Sequence, residues 1–413
     1  MSTPPPHPPA WAGHDKDSRE YRRILIGLVA AGIATFAQIY SPQGALPVIA
    51  RSLETDAATA ALSVSLATLG VACAVIPWSW VADRIGLLTS MRIAITSSAV
   101  FGVLVAASPS LEFLLAIRFL EGVALAGLPA LAVAYLHEEI HVKYAAVAAA
   151  AYISGTTIGG ASGRLISGPL AATFGWRPAL LAVALTCAVA AGIFLALMPK
   201  PRGRRRPVPG DAAITALVGR IRSCLADPTL RKVYATPFLL LSAFVGVYNY
   251  LAFRLEAPPF SLAPAIASLI FLAYAAGTIS SRWAGNGIPR LGSRRVMLSG
   301  LALMLIGVVV MAADWLPALI AGLLILTAGF FITHATAVSW AGRGAPRARA
   351  QSTALYNVSM YSGSAVGGWL IGYVFGGFGW IGVTVVCGLL IVAALVLTST
   401  LPRTDEIAAP VRA

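Results

Sequence analysis

Charge is scarce in this chain, and negative charge is scarcest. Asp, Glu, Lys and Arg make up 11% of its 413 residues, and 16 acidic residues stand against 30 Lys and Arg. A water-soluble domain carries roughly 25% charged residues, so that class is excluded. Cysteine is also rare. Cys73, Cys187 and Cys387 lie within apolar runs, Cys224 lies in a central loop, and no CxxC spacing occurs. No disulfide framework, metal site or cofactor is therefore expected. The phosphate-cradling pattern GxxxxGKS or GxxxxGKT is missing, which removes ATP as a driving force. The apolar runs hold one Glu and one His, in opposite halves of the chain. That is too little for a membrane-embedded enzyme, and no catalytic residue is assigned. The N-terminal stretch MSTPPPHPPAWAGHDKDSRE lacks the apolar core and cleavage site of a signal peptide. Residues 1–22 are expected to form a disordered cytoplasmic tail.

What the chain has in quantity is apolar sequence, 58% of it, in runs of the length that a bilayer core about 30 Å thick demands, about 20 residues per helix. Twelve such runs are legible, at about 24–49, 59–82, 93–108, 112–136, 145–171, 178–198, 235–255, 263–284, 296–313, 316–340, 351–375 and 381–401. The expectation is an all-α membrane protein with a six-helix bundle over 23–198 and a second over 234–402. A basic cytoplasmic linker, 199–233, joins them, and a tail, 403–413, follows. Within the linker, residues 211–224 suit either an amphipathic helix on the inner membrane surface or a solvated basic connection.

The net charge of +14 does not point to nucleic acid, whose binders cluster bases on water-exposed faces among aromatics. Here 25 of the 30 Lys and Arg fall in the tails and alternate loops, as positive-inside topology requires when both termini are cytoplasmic. Only Arg51, Arg177 and Arg254 fall on the opposite side, and Arg118 and Arg164 lie within runs.

The two halves repeat each other. YISGTTIGG from Tyr152 returns as MYSGSAVGG from Met360, and ADRIG at 82–86 returns as IPRLG at 288–292. TFGWR at 173–177 matches GFGWI at 377–381, and LAGLPALAVA at 125–134 aligns with TAGFFITHAT at 327–336. These landmarks keep their order at near-constant offset, so the chain reads as a duplicated six-helix unit. Parallel repeats of this kind belong to secondary transporters, whose halves rock about a site near the bilayer midplane. Gly155, Gly159 and Gly163, echoed by Gly363 and Gly367, give helix faces on which backbones approach closely. They serve either plain packing or sliding against the opposite half.

YISGTTIGGASGRLISG, AYLHEEIH, GFFITHATAVSWAG and TFAQIY resemble the major facilitator superfamily, and within it the YnfM-type bacterial inner-membrane transport proteins. The resemblance runs over all twelve runs. It implies two six-helix bundles around a central cavity, alternating access and a bacterial inner-membrane location. It also implies a monomer, cavity walls from the first, fourth, seventh and tenth helices, and lipid-facing third, sixth, ninth and twelfth helices. The superfamily's cytoplasmic signature after the second helix is matched by Asp83, Arg84 and Gly86, and its second copy by Arg290 and Gly292, with Pro289 at the acid position. These residues are implied to form a cytoplasmic gate. RFLEG matches the fourth-helix signature at Arg118 and Gly122. The fifth-helix antiporter signature is matched at Gly155, Gly159 and Gly163, and departs from it at Gly160 and Arg164.

Of the 16 acids, only Glu121 lies well inside an apolar run. Arg118 is three residues away on the same helical face, and Arg164 falls at similar depth. Charges at such depth face protein or water and are usually paired. An Arg118–Glu121–Arg164 cluster is therefore expected. It serves as a structural ion pair, as a proton carrier once movement removes an arginine, or as an anion site. His334 suits a proton relay or plain packing. Gln38, Tyr40, Tyr248 and Asn249 are expected to line the cavity and to suit a flat, partly apolar solute. The expected function is secondary active transport of a small organic solute, with proton-coupled efflux first and import, or a non-transporting sensor, as alternatives. The partners are the solute, protons and the lipid bilayer, not nucleic acid.

Overall fold

The computed structural model describes residues 11–203 and 210–402. Residues 1–10 and 403–413 of the two tails and 204–209 of the linker lie outside the described residues. Among the described residues, ten helical segments are long and apolar enough to cross a membrane. One of them, Pro346–Ser399, holds two spans, because Gly379 at φ 60° breaks the backbone. The 33-residue helix Val142–Phe174 supplies the remaining span.

In order, the first three spans are Arg19–Tyr40, Ala57–Ile85 and Leu87–Ala106. The fourth is Leu111–Leu125 continued by Gly127–Glu139, the fifth Val142–Phe174 and the sixth Trp176–Leu197. The seventh is Pro228–Glu256, and the eighth runs through Pro264–Ala267, Ser268–Ala273 and Tyr274–Leu291. The ninth is Ser293–Met311 and the tenth Leu316–Gly344. The eleventh and twelfth share Arg349–Ser399 on either side of Gly379.

Local chemistry sets these ends. Ser18, Asp56 and Asp227 accept hydrogen bonds from the first free backbone N–H groups of the first, second and seventh spans, as helix starts require. Gly86 and Gly292, at φ 91° and 79°, end the second and eighth spans. Gly175 and Gly379, at φ 86° and 60°, turn the fifth span into the sixth and the eleventh into the twelfth. Only glycine adopts this backbone without a Cβ penalty. Two of the sequence echoes therefore repeat because the same turn is made twice.

The first span packs on the fifth and sixth, and the seventh on the eleventh, while one buried apolar cluster runs on across both halves. The halves meet where the second span crosses the eleventh and the fifth crosses the eighth. Exposed Ile, Val and Leu side chains such as Ile93, Val189, Val309 and Leu389 stud the third, sixth, ninth and twelfth spans, as lipid contact demands.

The tail differs from its expectation over its described part. Gly13, at φ 90°, turns the chain so that His14 N–H donates to the Glu139 carbonyl at 2.7 Å and His141 N–H donates to His14 O at 3.1 Å. Trp11 Nε1 donates to the Glu138 carbonyl at 3.2 Å. Backbone pairing thus fixes 11–14 on the loop after the fourth span, a long-range contact that composition does not reveal. In the linker, Gly210–Ala226 is helical and lies against the seventh and eleventh spans.

Candidate functional site

The intramembrane charges resolve into separate constellations. Arg118, 1% exposed, donates through Nε to the Ser63 carbonyl at 2.6 Å and through Nη2 to the Ile39 carbonyl at 2.6 Å. Its Nη1 reaches the Gln38 carbonyl at 3.1 Å and also pairs with the Glu121 carboxylate. The first and second spans therefore pin this cation, and Arg118 is the one partner of Glu121 among the described residues.

Arg164 is not part of that pair. Its side chain, 0% exposed, donates through Nε to Gln43 Oε1 at 2.5 Å, through Nη2 to Tyr274 Oη at 2.9 Å, and through Nη1 to the Gly160 carbonyl. The expected three-membered cluster is thus split, because Gln43 and Tyr274 satisfy Arg164 with neutral oxygens. The guanidinium lies 4.4 Å from the centroids of both Tyr40 and Tyr274, 5.4 Å from Phe271 and 5.9 Å from Tyr248. Tyr40 and Tyr248, equivalent in the repeat, flank the same cation.

His334 stands apart from both. Its Nδ1 is 2.8 Å from Tyr356 Oη, and its ring stacks on Phe330 with centroids 5.7 Å apart. Phe330 stacks on Phe244 at 3.9 Å, and Phe244 lies 4.7 Å from Tyr248. A column of rings therefore runs from His334 to the aromatic box around Arg164.

Other expected cavity residues are placed differently. Gln38 is buried and donates to the Ser98 carbonyl of the third span at 2.9 Å, so it faces its own half. Asn249 lies on the seam, accepting from Gln43 Nε2 at 2.5 Å and donating to the Gly368 carbonyl at 3.2 Å. Helical spacing does not mark Gln43, because the first helix ends at Tyr40 and the turn Ser41–Gly44 re-aims the chain. Helical spacing does not survive that turn.

All of the named contacts between halves lie at the end away from the termini. Gln43 meets Asn249, Arg164 meets Tyr274, and Arg51 Nη1 bonds Glu256 Oε2 at 2.8 Å. A Cβ on Gly368 would stand 3.2 Å from Ser65 Oγ, and one on Gly372 would stand 2.5 Å from Ala58 Cα. At the terminal end, Asp83 is exposed and has no ion-pair partner among the described residues. Arg84 lies over Trp80 at 3.7 Å, and Arg290 is exposed.

The repeated glycines pack within each half. A Cβ on Gly155 or Gly159 would stand 2.5 Å from the Val29 or Ile33 carbonyl oxygen, and Gly163 sits against Ala37 of the same first span. Gly363 and Gly367 abut Phe238 and Ser242 of the seventh. Gly368 and Gly372, by contrast, face Ser65 and Ala58 of the opposite half.

Two helical bundles joined along a buried seam give the architecture of a membrane carrier. Residues 28–289 match the Major Facilitator Superfamily, and the chain belongs to that family. It is 35% identical to the inner membrane transport protein YnfM of Escherichia coli (strain K12), over 93% of this chain and 91% of that protein. It is 33% identical to the uncharacterized MFS-type transporter YybF of Bacillus subtilis (strain 168), over 94% and 95%. Its fold superimposes on a mutant of the nucleoside transporter NupG with TM-score 0.75 at 14% identity, covering 93% of this chain and all of that one. A bacterial homologue of the human lysosomal transporter Spinster, in an inward-facing and unoccupied conformation, gives 0.69 at 15%, covering 93% and 96%. The chain is a multi-pass membrane transporter and not an enzyme.

Proposed function

We propose that the chain moves a small organic solute across the bacterial inner membrane by alternating access, as proton-coupled efflux. The observation that carries the reading is the seam, with Gln43–Asn249 and Arg164–Tyr274 joined at the far end while exposed Asp83 at the terminal end has no ion pair among the described residues. The basic loops put the terminal end in the cytoplasm, so this is an inward-facing state.

Glu121 is the proton carrier in this reading. Arg118 and Glu121 share one helix, and carbonyls of the first two spans of the same half offer the Arg118 guanidinium other acceptors, so arrival of the solute can draw it off Glu121 and free the carboxylate to take a proton. The Gly155, Gly159 and Gly163 match to the antiporter signature supports efflux. The departures at Gly160 and Arg164 favour the second reading, import of the same solute.

A proteoliposome panel of dyes, sugars and organic acids, with and without an imposed pH gradient, tests both. Gradient-driven flux in the wild type and its loss in Glu121→Gln is the expected result. Equal pH dependence in both proteins removes Glu121 from the coupling.

A further inference from the structure

Arg164 is an intramembrane cation that no carboxylate balances among the described residues. Arg118 has Glu121, whereas no Asp or Glu pairs with Arg164 among the described residues. A fully buried charge without a counter-charge is costly. In this state neutral acceptors and four aromatic faces offset that cost.

That compensation is divided between the halves. Tyr40, Gln43 and Gly160 travel with Arg164, but Tyr248, Phe271 and Tyr274 belong to the opposite half. Opening the far end withdraws those three and leaves the guanidinium facing the cleft with its planar fork partly free. A fork of N–H donors matches a carboxylate in shape and charge. The withdrawn wall is not random apolar surface either. Tyr248 and Phe271 stack at 5.8 Å, and the column continues through Phe244 and Phe330 to His334. Such faces take a flat apolar body by stacking.

We infer that Arg164 is the anion-recognising residue of the transport site, and that the solute is a planar organic carboxylate whose flat body lies along the Tyr248–Phe244–Phe330 column. This assignment rests on the transporter reading and names the solute class for it. The anion replaces Tyr274 and its neighbouring rings as partner of Arg164 when the far end opens, so an anion bound there lowers the cost of opening.

Thermal unfolding of the purified full chain with matched pairs tests it: benzoate, phenylacetate and cinnamate, each against its primary amide. The expected result is a rise in Tm with the carboxylates and none with the amides. That rise is expected to shrink in Arg164→Lys and vanish in Arg164→Gln. Equal shifts from amides and acids overturn the assignment, as does an undiminished shift in Arg164→Gln. Should Arg164→Gln not fold, the acid–amide contrast in the wild type and the Arg164→Lys shift decide alone. Flux assays separate this from the reading beneath it. A neutral solute carried equally by the wild type and Arg164→Lys sinks the anion assignment and leaves a transporter. Carboxylate binding without gradient-driven flux of any of these acids sinks the proton-coupled efflux reading and leaves the site.

Discussion

Gln43 and Asn249 join the two halves of the molecule: Gln43 Nε2 donates to Asn249 Oδ1 at 2.5 Å, with both side chains fully buried. The same Gln43 amide accepts from Arg164 on its oxygen. One side chain thus ties the seam to the buried cation.

Replacing either partner by Ala strands a buried polar group, at a cost of about 1–3 kcal/mol. The bond exists only while the far end is closed, so the cost falls on the closed state. Gln43→Ala and Asn249→Ala are each expected to raise the open population about tenfold. The probe is labelling of a cysteine at Ser268, buried beside Gly168 on the seam, by an impermeant maleimide. The double variant is expected to fall short of the summed effects. Unchanged labelling in both single variants contradicts the role.

Gly159 separates packing from tolerance. Its Cβ would stand 2.5 Å from the Ile33 carbonyl oxygen, while one on Gly192 would meet nothing within 4 Å. Gly159→Ala is expected to cost about 1–3 kcal/mol through overpacking and to lower Tm in detergent. Gly192→Ala is expected to match or exceed the wild type. Equal Tm for the two variants rules out close backbone packing there.

The docked N-terminal segment is expected to respond to pH. Glu139, 0% exposed, accepts from the backbone N–H groups of Arg202 and Gly203 at 2.9 and 2.8 Å, and His14 Nε2 lies 3.9 Å from it. Burial lowers the His14 pKa from its ordinary 6.5, against the pull of Glu139 and Glu20 upward and with Arg202 pushing the same way as burial. The released segment therefore binds more protons than the docked one just below 6.5. Docking is firmest above that value and weakens as pH falls through it toward the lowered value. A spin label at Lys16→Cys is expected to gain mobility between pH 8 and 5, about the ordinary His range. In His14→Phe the change is expected to disappear, and persistence of the pH effect there assigns it elsewhere.

Much of the fold was legible because its causes are local. Apolar runs set the spans, and the echoes ADRIG/IPRLG and TFGWR/GFGWI marked turns that demand Gly86, Gly292, Gly175 and Gly379. The Arg118–Glu121 pair was legible because helical spacing alone brings those side chains together. Phe271 and Tyr274 were not, since their contacts with Arg164 cross from one bundle to the other, as does the contact of Gln43 with Asn249. Nothing in a single sequence fixes the rotation between bundles. The burial of Glu139 was not legible either, because its partners are backbone N–H groups of a distant segment.

The most direct measurement locks the seam. A Cβ at Gly368 would lie 3.2 Å from Ser65 Oγ, across the boundary between the halves. In a background with the native cysteines replaced, Ser65→Cys with Gly368→Cys is expected to form a disulfide on oxidation. Solute flux in proteoliposomes should then stop, and return when the bond is reduced. Undiminished flux through quantitatively cross-linked protein would contradict the rocking of two halves about a common site.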